Sequence, residues 1–510
     1  MLPLAGCLST GTLPPPGAGA PAAPAGTSGA ADPANEPPPA PREFRAAWVA
    51  TVANIDWPSR PGLGAQAMRA EAVAMLDRAR TIGLNALILQ VRPAADAIYP
   101  SPLEPWSEYL SGTQGRPPWH DGEAPWDPLA FWVQEAHARG LELHVWFNPY
   151  RARHSAAKSP PAPTHVALRA PQLVRSYGDM LWMDPGEPGS AAHTLAVVAD
   201  VLRRYDVDGV HIDDYFYPYP VAQRGADLPF PDDAPFARYV AGGGLLSRDD
   251  WRRANVDAMV QEMHQLVRRV RPGTRFGVSP FGLGRPDRRP PGITGFSQYD
   301  KLYADVERWL ANGWMDYLAP QLYWPRARVG QPFEPLLDYW LAENGAARHV
   351  FPGLFTSRIV VAAPERVLGP NAWPASEIAE QVLLTRSRPA AGGHIHFSMV
   401  ALMQDRDGIA TLLRRGAYVQ PALPPATPWL GDRAPPAPRL RSTGAGVEIQ
   451  PAGSEPVARW AVWRRREGRW QFEVQAPAAT LLQPAGEDRI AVAAVDRLGN
   501  LSPYHSLALR

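Results

Sequence analysis

Two adjacent aspartates, Asp213 and Asp214, follow a short apolar segment and point most clearly to chemistry. Side chains in a strand alternate between two faces, so a strand at residues 209–213 places His211 and Asp213 on one face. A carboxyl at the tip of a buried strand suits acid–base catalysis, and a second carboxyl beside it raises the pKa of one of the two. Asp213 is therefore the first catalytic candidate. Asp214 has the opposite parity and acts either as its partner or as a brace for the turn.

A second carboxyl group is harder to place. Hydrolysis of a glycosidic bond normally uses two carboxyls, one as acid and one as nucleophile or base. The strand predicted at residues 276–279 is a common place for the second group, but it ends in Ser279. The remaining candidates lie in loops: Asp214, Glu104, Asp184, Glu187 and Asp287. Asp214 leads because it is next to Asp213. Two aspartates at the starts of their strands are predicted to be structural: Asp208 and Asp316.

Further polar residues follow the same alternation in the other predicted strands. Inward-pointing side chains are predicted for Gln90, Arg92, Glu142, His144, Trp146, Asn148, Tyr215, Ser279, Gln321, Tyr323, His394, His396 and Ser398. Each buried polar group needs a hydrogen-bond partner. Their concentration at strand ends favours a wet mouth that binds a ligand with many hydroxyl groups. An inert polar network that fills the interior is the alternative.

Four histidines offer a metal site as another interpretation: His144, His211, His394 and His396. Metal-dependent amidohydrolases usually carry an H-x-H motif on the first strand. Here the first strand carries Trp48 and Thr51, and the H-x-H lies on the last strand. We therefore expect neither a bound metal nor another cofactor.

The periodicity of apolar residues along the chain predicts the fold that positions these side chains. Between residues 42 and 418, short apolar segments alternate with amphipathic helical patterns, which predicts a parallel sheet covered by helices. Eight strands are predicted at residues 44–51, 86–92, 142–148, 209–213, 276–279, 317–323, 350–355 and 394–398. Helices are predicted at residues 65–82, 128–139, 193–205, 250–270, 300–312 and 376–387. Eight such units predict an α/β fold, a (β/α)8 TIM barrel whose active site lies at the carboxyl ends of the strands. An open doubly wound sheet is the alternative, but no G-x-G-x-x-G follows the first strand.

Composition narrows the classes of partner. The chain has 510 residues, is 45% hydrophobic and 20% charged, and has a formal net charge of +1. The sequence contains no cluster of Lys and Arg residues suited to binding a phosphate backbone, so nucleic acid is not an expected partner. The 18 Trp and 16 Tyr suit stacking on the apolar faces of sugar rings, although many will be core residues. One cysteine excludes a disulfide framework and a four-cysteine metal site.

Several long motifs occur in order along the predicted barrel. They are residues 45–58 (RAAWVATVANIDWP), 90–93 (QVRP), 96–100 (DAIYP), 146–151 (WFNPYR), 208–218 (DGVHIDDYFYP), 277–282 (GVSPFG) and 317–324 (YLAPQLYW). With these motifs, residues 42–415 resemble the glycosyl-hydrolase-like family 10 proteins, formerly a domain of unknown function. The resemblance implies a TIM barrel and a bacterial envelope enzyme. It further implies activity like that of relatives that cleave peptidoglycan glycan strands stripped of their peptides.

The resemblance also implies which residues line the site. They are Asp213 with Gln90, Arg92, Asn148, Tyr150, Arg151, His211, Asp214 and Tyr215. Together with the strand-end residues, the predicted substrate-binding set is Gln90, Arg92, Asn148, Tyr150, Arg151, His211, Tyr215, Ser279, Gln321, Tyr323 and Trp324. Asp213 and Asp214 are the predicted catalytic residues.

A more distant resemblance links strand 4 to the family 18 chitinases, whose motif there is D-G-x-D-x-D-x-E. Residues 208–215 keep the middle aspartate as Asp213, but Tyr215 stands at the position of the acidic glutamate. Either the acid comes from elsewhere or the mechanism differs. An N-acetyl sugar could still react through its own acetamido group, with Asp213 orienting that group.

The N-terminal segment predicts a lipid anchor. Residues 4–7 read LAGC, a lipobox in which Cys7 carries the lipid. Residues 8–40 are almost all Pro, Ala, Gly, Ser and Thr, and residues 1–41 are predicted to be the lipobox and a disordered tether. The basic and long apolar segments that normally precede a lipobox are missing, so we expect the natural chain to begin upstream of Met1. The expected location is the cell envelope, anchored to a membrane through Cys7 on the periplasmic or outer-membrane face.

The C-terminal segment predicts a second domain. Residues 419–436 form a proline-rich linker, and residues 437–510 contain short alternating strands at 446–450, 459–464, 470–474 and 488–496. This pattern predicts an all-β sandwich of the immunoglobulin type. Residues 496–502 (DRLGNLS) resemble a late turn of fibronectin type III domains, which are usually spacers or binding modules. We expect no catalysis there and predict an envelope protein as the partner of this domain.

Three functions remain open from the sequence. The first is a glycoside hydrolase acting on a cell-envelope polysaccharide, with peptidoglycan glycan as the best substrate. The second is a glycan-binding envelope protein with a degenerate site, which the missing strand-5 acid favours. The third is a hydrolase of another polysaccharide, such as an α- or β-glucan, on the same fold.

Overall fold

A closed parallel barrel forms the centre of the computed structural model, which describes residues 35–360 and 372–509. Its strands are β1 (Phe44–Val49), β2 (Ala86–Arg92), β3 (Glu142–Phe147), β4 (Gly209–Ile212), β5 (Arg275–Val278), β6 (Tyr317–Leu318), β7 (His349–Val350 and Gly353–Leu354) and β8 (Gly393–His396). The first half of β7 pairs with β6 and the second half with β8, while β8 also pairs with β1. The sheet therefore closes on itself, and the predicted (β/α)8 barrel is confirmed.

Helices cover the outside of the barrel. They are α1 (Ala65–Ile82), α2 (Glu108–Ser111), α3 (Pro128–Ala138), α4 (Val166–Arg169), α5 (Pro188–Arg204), α6 (Asp233–Ala241), α7 (Arg248–Val270), α8 (Gln298–Lys301), α9 (Val306–Ala311), α10 (Phe333–Ala342), α11 (Ala375–Arg386), α12 (Met399–Met403) and α13 (Ile409–Arg415). Alternate strand residues such as Leu87, Leu89 and Val210 join the core beneath these helices. The alternation predicted for β2, β3 and β4 is thus observed.

Strand β6 is much shorter than the segment predicted at residues 317–323. It ends at Leu318, because Pro320 has no N–H to donate to a neighbouring strand. The chain nevertheless continues along the barrel, since the Gln321 N–H donates to the Pro280 carbonyl at 3.0 Å. The residues beyond β6 therefore still reach the barrel mouth.

The barrel interior holds large rings opposite glycines. A Cβ added to Gly277 would lie 2.0 Å from the ring of Tyr317, and one added to Gly209 would lie 2.3 Å from the imidazole of His144. Only glycine leaves room for these rings. The interior is thus a packed core below the mouth.

A chain of hydrogen bonds runs through this interior. The Trp48 indole N–H donates to His211 Nε2 at 3.1 Å, so His211 carries its proton on Nδ1 and donates it to the Tyr317 oxygen at 3.0 Å. Tyr317 donates in turn to His144 Nδ1 at 2.9 Å, and His144 Nε2 lies 3.2 Å from Glu142. Burial holds the pKa of His211 well below its usual range. Both histidines are therefore satisfied without a ligand.

The parity predicted for β8 is wrong. Ile395 lies inside the barrel with Phe351, whereas His394 and His396 both bond the Tyr418 hydroxyl on the outer side. The segment alternates as predicted, but both of its faces are buried. Alternation alone could not tell which face is the interior.

Antiparallel strands form the C-terminal domain. They are β9 (Arg439–Thr443), β10 (Gly446–Gln450), β11 (Arg459–Arg466), β12 (Arg469–Gln475), β13 (Leu481–Leu482), β14 (Arg489–Val495) and β15 (His505–Ala508). One sheet has the order β9-β10-β13 and the other β12-β11-β14-β15. The predicted all-β domain is confirmed. Trp460 and Val462 of β11 lie in one apolar core, while Ala461 and Trp463 lie in another with Leu423.

The C-terminal segment contacts the amino-terminal end of the barrel through buried carboxylates. Arg459 lies 3.5 Å from Glu142, and Arg497 lies 3.4 Å from Asp208. The Trp429 indole donates to Asp316 at 2.8 Å. Each of these carboxylates also accepts a hydrogen bond from a residue of the barrel. Asp316, for example, accepts the Phe276 N–H at 2.7 Å. The domain and its linker thus close the end of the barrel opposite the mouth.

Short insertions extend the loops that follow β3 and β4. Strands Arg151–Arg153, Val174–Tyr177 and Met180–Met183 form a small sheet, and Ala222–Gln223 pairs with Ala226–Asp227. Cys7 and the tether up to residue 34 lie outside the described residues. Across residues 35–360 and 372–509, no helix combines the length and apolarity needed to cross a bilayer.

Candidate active site

A cavity of about 260 Å³ opens at the carboxyl ends of the barrel strands. Six of the eight strands, or the loops after them, contribute to its wall. The lining residues are Trp48, Ala50, Val52, Ile55, Trp146, Arg151, His154, Asp213, Asp214, Tyr215, Tyr219, Ser279, Gln321, Tyr323 and Phe397. This is the end of the barrel where the sequence places the active site. Seven of the predicted site residues line the cavity: Asp213, Asp214, Arg151, Tyr215, Ser279, Gln321 and Tyr323.

Asp213 is held from one side by β3. The Trp146 indole N–H donates to its carboxyl at 3.0 Å, and the Asn148 amide lies 3.2 Å from both oxygens. Burial raises the pKa of Asp213 to about 7, and the charge of Asp214 adds to this, against the opposing effects of Arg151 and the two hydrogen bonds. The group can therefore carry or release a proton near neutral pH.

Asp214 also opens into the cavity, although its parity in a regular strand would turn it away. Strand β4 ends at Ile212, so alternation no longer applies two residues later. The Tyr219 hydroxyl donates to the carboxyl of Asp214. Burial raises the pKa of Asp214 to about 6, against hydrogen bonds from Tyr219 and Gln321. Two buried carboxyls with raised pKa values thus share one cavity.

A cation and a neutral histidine complete the polar wall. Arg151 Nε donates to the Pro93 carbonyl at 3.0 Å, and its guanidinium lies 4.7 Å above the ring of Tyr215. Burial and then the charge of Arg151 lower the pKa of His154 to about 4. His154 Nδ1 accepts the Ala156 N–H at 3.0 Å, so its other ring nitrogen carries the proton.

Three predicted binding residues support the cavity from behind instead of lining it. Gln90 accepts the N–H groups of Thr51 and Val52 at 3.0 and 2.9 Å and so fixes the loop after β1. Arg92 donates to the Asn148 carbonyl at 2.7 Å. Asn148 in turn donates its side-chain N–H to the carboxyl of Asp213. These side chains are fully buried, and their contacts position groups that line the cavity.

Three other predicted binding residues lie outside the lining. His211 is buried below the mouth, where it bonds Trp48 and Tyr317. Tyr150 is fully buried. Trp324 lies beside the mouth, with its ring 5.5 Å from that of Phe281.

The remaining carboxyl candidates are occupied elsewhere. Arg92 lies 2.6 Å from Glu104. Burial by itself would raise the pKa of Glu104, but the charge of Arg92 and the contact with His193 lower it to about 2. Asp184 and Glu187 pair with Arg175 at 3.0 and 2.8 Å. Asp287 is exposed and pairs with Arg285 at 3.1 Å. Among the described carboxyls, only Asp213 and Asp214 line the cavity.

Eight lining residues were missing from the predicted site, and five of them carry aromatic rings: Trp48, Trp146, His154, Tyr219 and Phe397. Strand parity points Trp48 and Trp146 inward, and that signal was available. Tyr219 and His154 lie in loops after strand ends, where periodicity carries no information about direction. They could have been suggested only by their nearness to the motifs around Asp214 and Arg151.

The histidines considered for a metal site fall into two separate sets. His144 and His211 bond Tyr317, whereas His394 and His396 bond Tyr418. Over the part of the chain that the structure describes, no three His, Cys, Asp or Glu side chains are arranged to hold a metal ion.

Comparison with known proteins identifies relatives over most of the barrel. The sequence profile of the family Glycosyl hydrolase-like 10 matches residues 43–365. The glycosyl hydrolase YngK of Bacillus subtilis (strain 168) is 38% identical over 406 residues, which cover 78% of this chain and 76% of YngK. The glycosyl hydrolase DigH of Escherichia coli (strain K12) is 34% identical over 334 residues, 60% of this chain and 73% of DigH. Among solved structures, the glycoside hydrolase domain of PgaB (BpsB) from Bordetella bronchiseptica aligns with a TM-score of 0.46 and 12% identity, covering 73% of this chain and 98% of that one.

Proposed function

This chain belongs to the glycosyl hydrolase-like 10 family, and on that basis we propose that it hydrolyses glycosidic bonds of a cell-envelope polysaccharide. The proposed substrate is peptidoglycan glycan without stem peptides. The observation that carries the proposal is the buried pair Asp213 and Asp214, whose pKa values are raised to about 7 and about 6 in one cavity. Aromatic rings wall the same cavity, as a site for sugar rings requires.

The arrangement of the two carboxyls favours one type of mechanism. Consecutive residues have Cα atoms about 3.8 Å apart, and no third described carboxyl lines the cavity. Mechanisms with two opposed carboxyls need one on each side of the scissile bond. Ser279, at the end of β5, offers no carboxyl on another side. The nucleophile is therefore proposed to come from the substrate.

An N-acetyl sugar supplies such a nucleophile through its acetamido oxygen. In the free chain burial raises the pKa of both carboxyls toward neutrality, to about 7 for Asp213 and about 6 for Asp214. A substrate N–H donated to Asp213 stabilises its ionised form, and the proton then resides on Asp214. Asp214 is proposed to give that proton to the leaving oxygen, while Asp213 orients the acetamido group. Trp146 and Asn148 hold Asp213 for this role.

The test is to incubate purified protein with peptide-free glycan strands and to measure new reducing ends. Asp213→Asn and Asp214→Asn should each lower the rate by about a hundredfold or more. Asp184→Asn is the matched control, because Asp184 is also a buried carboxyl with a raised pKa, about 6, but lies outside the cavity. Full activity of Asp213→Asn would contradict the proposal.

The same assay separates the other candidate functions. Sacculi that still carry peptides should be cleaved more slowly, and equal cleavage would remove the case for a peptide-free substrate. Cleavage of α- or β-glucans, which lack an acetamido group, would instead indicate a different hydrolase. Binding of glycan strands without any new reducing ends would indicate a glycan-binding protein with a degenerate site.

The location is a separate proposal that rests on the sequence. Cys7 and the tether after it would hold the barrel at a membrane of the cell envelope, within reach of wall glycan. Radiolabelled palmitate should enter the wild-type chain, expressed with an export signal, and should not enter a Cys7→Ala variant. A protein partner for the C-terminal domain stays a prediction, to be tested by crosslinking in intact cells.

A further inference from the structure

Six arginines among the described residues are almost fully buried: Arg45, Arg92, Arg151, Arg252, Arg275 and Arg459. Five of them form an ion pair with a carboxylate within 4.0 Å. Arg151 is the exception within residues 35–360 and 372–509, although it is only 2% exposed. A buried charge is unfavourable unless an opposite charge or several hydrogen bonds compensate it. Arg151 is also the one of the six that lines the cavity.

The contacts of Arg151 fix its position and include no direct ion pair. Its Nε donates to the Pro93 carbonyl, and its backbone N–H donates to Asn148 Oδ1 at 2.8 Å. The ring of Tyr215 lies under the guanidinium plane. Asp213 and Asp214 line the same cavity but form no ion pair with Arg151 within 4.0 Å. They have their own hydrogen-bond donors.

A second donor lies on the same loop. His154 is neutral at physiological pH, and its ring N–H is the free donor, because Nδ1 is occupied by the Ala156 N–H. It lies three positions after Arg151 in the chain, and both side chains line the cavity. A planar fork of N–H groups beside another N–H donor matches the geometry of a carboxylate.

We propose that Arg151, assisted by His154, binds a carboxylate carried by the sugar substrate next to the catalytic pair. The proposal rests on the proposed function and deepens it. In peptidoglycan the muramic acid residue carries a lactyl group that ends in a free carboxylate when no peptide is attached. Attachment of a stem peptide converts that carboxylate to an amide, which has no charge. Arg151 therefore recognises strands from which the peptide has been removed.

The test compares two substrates that differ only in this charge. One is the peptide-free glycan strand, and the other is the same strand after its lactyl carboxylates are converted to methylamides with a carbodiimide and methylamine. A hydrogen-bonded charge pair corresponds to about a ten- to hundredfold difference. For the wild-type chain we expect KM to be lower by that factor for the carboxylate strand, with similar kcat. In Arg151→Met the difference should disappear because KM rises for the carboxylate strand alone.

Two further variants separate recognition from folding. Arg153→Met is the matched control, since Arg153 lies on the same short strand but donates to the carbonyls of Ser159 and Ala157 and is absent from the cavity wall. It should keep the preference of the wild type. Arg151→Lys retains the charge without the planar fork, and it should keep part of the preference. Thermal unfolding of each variant shows whether it is folded.

The outcomes that would overturn the inference are distinct from failure of the proposed function. Arg151 also lowers the pKa of Asp213, so a shifted pH profile alone is expected in Arg151→Met. If the variant instead loses the same factor in kcat/KM on both strands and keeps the preference for the carboxylate, Arg151 only tunes the catalytic pair and the inference fails. If the wild type cleaves neither strand, the proposed hydrolysis fails, and calorimetric binding of the two strands then decides. A binding preference for the carboxylate strand that Arg151→Met abolishes supports the inference, and equal binding or none refutes it.

Discussion

Replacing Asp213 by asparagine should make the protein more stable at alkaline pH while removing its activity. Burial keeps the pKa of Asp213 near 7, whereas an aspartate in an unfolded chain has a pKa of about 3.9. The folded protein therefore binds more protons than the unfolded protein between these values, and its stability falls as pH rises through this window. Below about pH 4 the carboxyl is neutral in both states, so the penalty is absent there.

The size of the effect follows from the shift in pKa. About 3 pKa units at about 1.4 kcal/mol each give about 4 kcal/mol above pH 7. Because the charge of Asp214 contributes to the shift, the two carboxyls titrate together, and we expect about 2–4 kcal/mol for Asp213 alone. The asparagine also turns an amide toward Asn148 and loses a hydrogen bond, which costs about 1 kcal/mol at every pH. The pH-dependent part of the difference is therefore the quantity to measure.

Urea denaturation of the wild type and Asp213→Asn at pH 4.5, 6, 7 and 8 provides the measurement. The unfolding free energy of the variant minus that of the wild type should rise from pH 4.5 to pH 8. Asp121→Asn, at an exposed carboxylate, should show no such trend. A difference between wild type and Asp213→Asn that stays constant from pH 4.5 to 8 would refute the claim that an ionised carboxyl is held there against burial.

Three other substitutions test the supports of the site and of the barrel. Trp146→Phe removes an N–H donor from the ionised form of Asp213, so the alkaline limb of the pH profile of kcat/KM should move up by about one unit; an unmoved limb would contradict this. Tyr317→Phe leaves two buried histidine nitrogens without their shared hydroxyl and should lower the unfolding free energy in urea by about 2–3 kcal/mol, whereas a neutral effect would mean that the interior chain adds nothing. Arg459→Leu removes the ion pair between the C-terminal domain and Glu142 and should destabilise the whole protein by about 2–4 kcal/mol with kcat unchanged. If calorimetry shows that Arg459→Leu lowers the unfolding temperature of the C-terminal domain alone, the two domains unfold independently and this prediction is wrong.

The barrel and its strand order were predictable because they depend on local periodicity. Apolar residues at every second position of β2, β3 and β4 define an outer face, and their partners then define the interior. This reasoning placed Asp213 at the mouth, where the structure has it. It failed for β8, because both faces of that strand are buried and the pattern is symmetric.

Periodicity could not predict which residues line the cavity and which ones support it from behind. Gln90 and Arg92 share the inward parity of residues that line sites, yet they hold neighbouring loops through hydrogen bonds. Asp214 has outward parity, yet it lines the cavity, because the chain leaves the sheet at Ile212. Which residue reaches a ligand depends on where each strand stops and how the following loop turns.

The amino-acid sequence by itself determined the fold class, the mouth of the barrel and the leading carboxyl, because alternation along a strand is a local property. Tertiary structure decided the rest. Only contacts between distant segments show that Asp214 joins Asp213, that Arg151 alone among the buried arginines described lacks a carboxylate, and that Arg459 reaches Glu142 across 317 positions of the chain. Charge and burial depend on these contacts, and no periodic pattern records them.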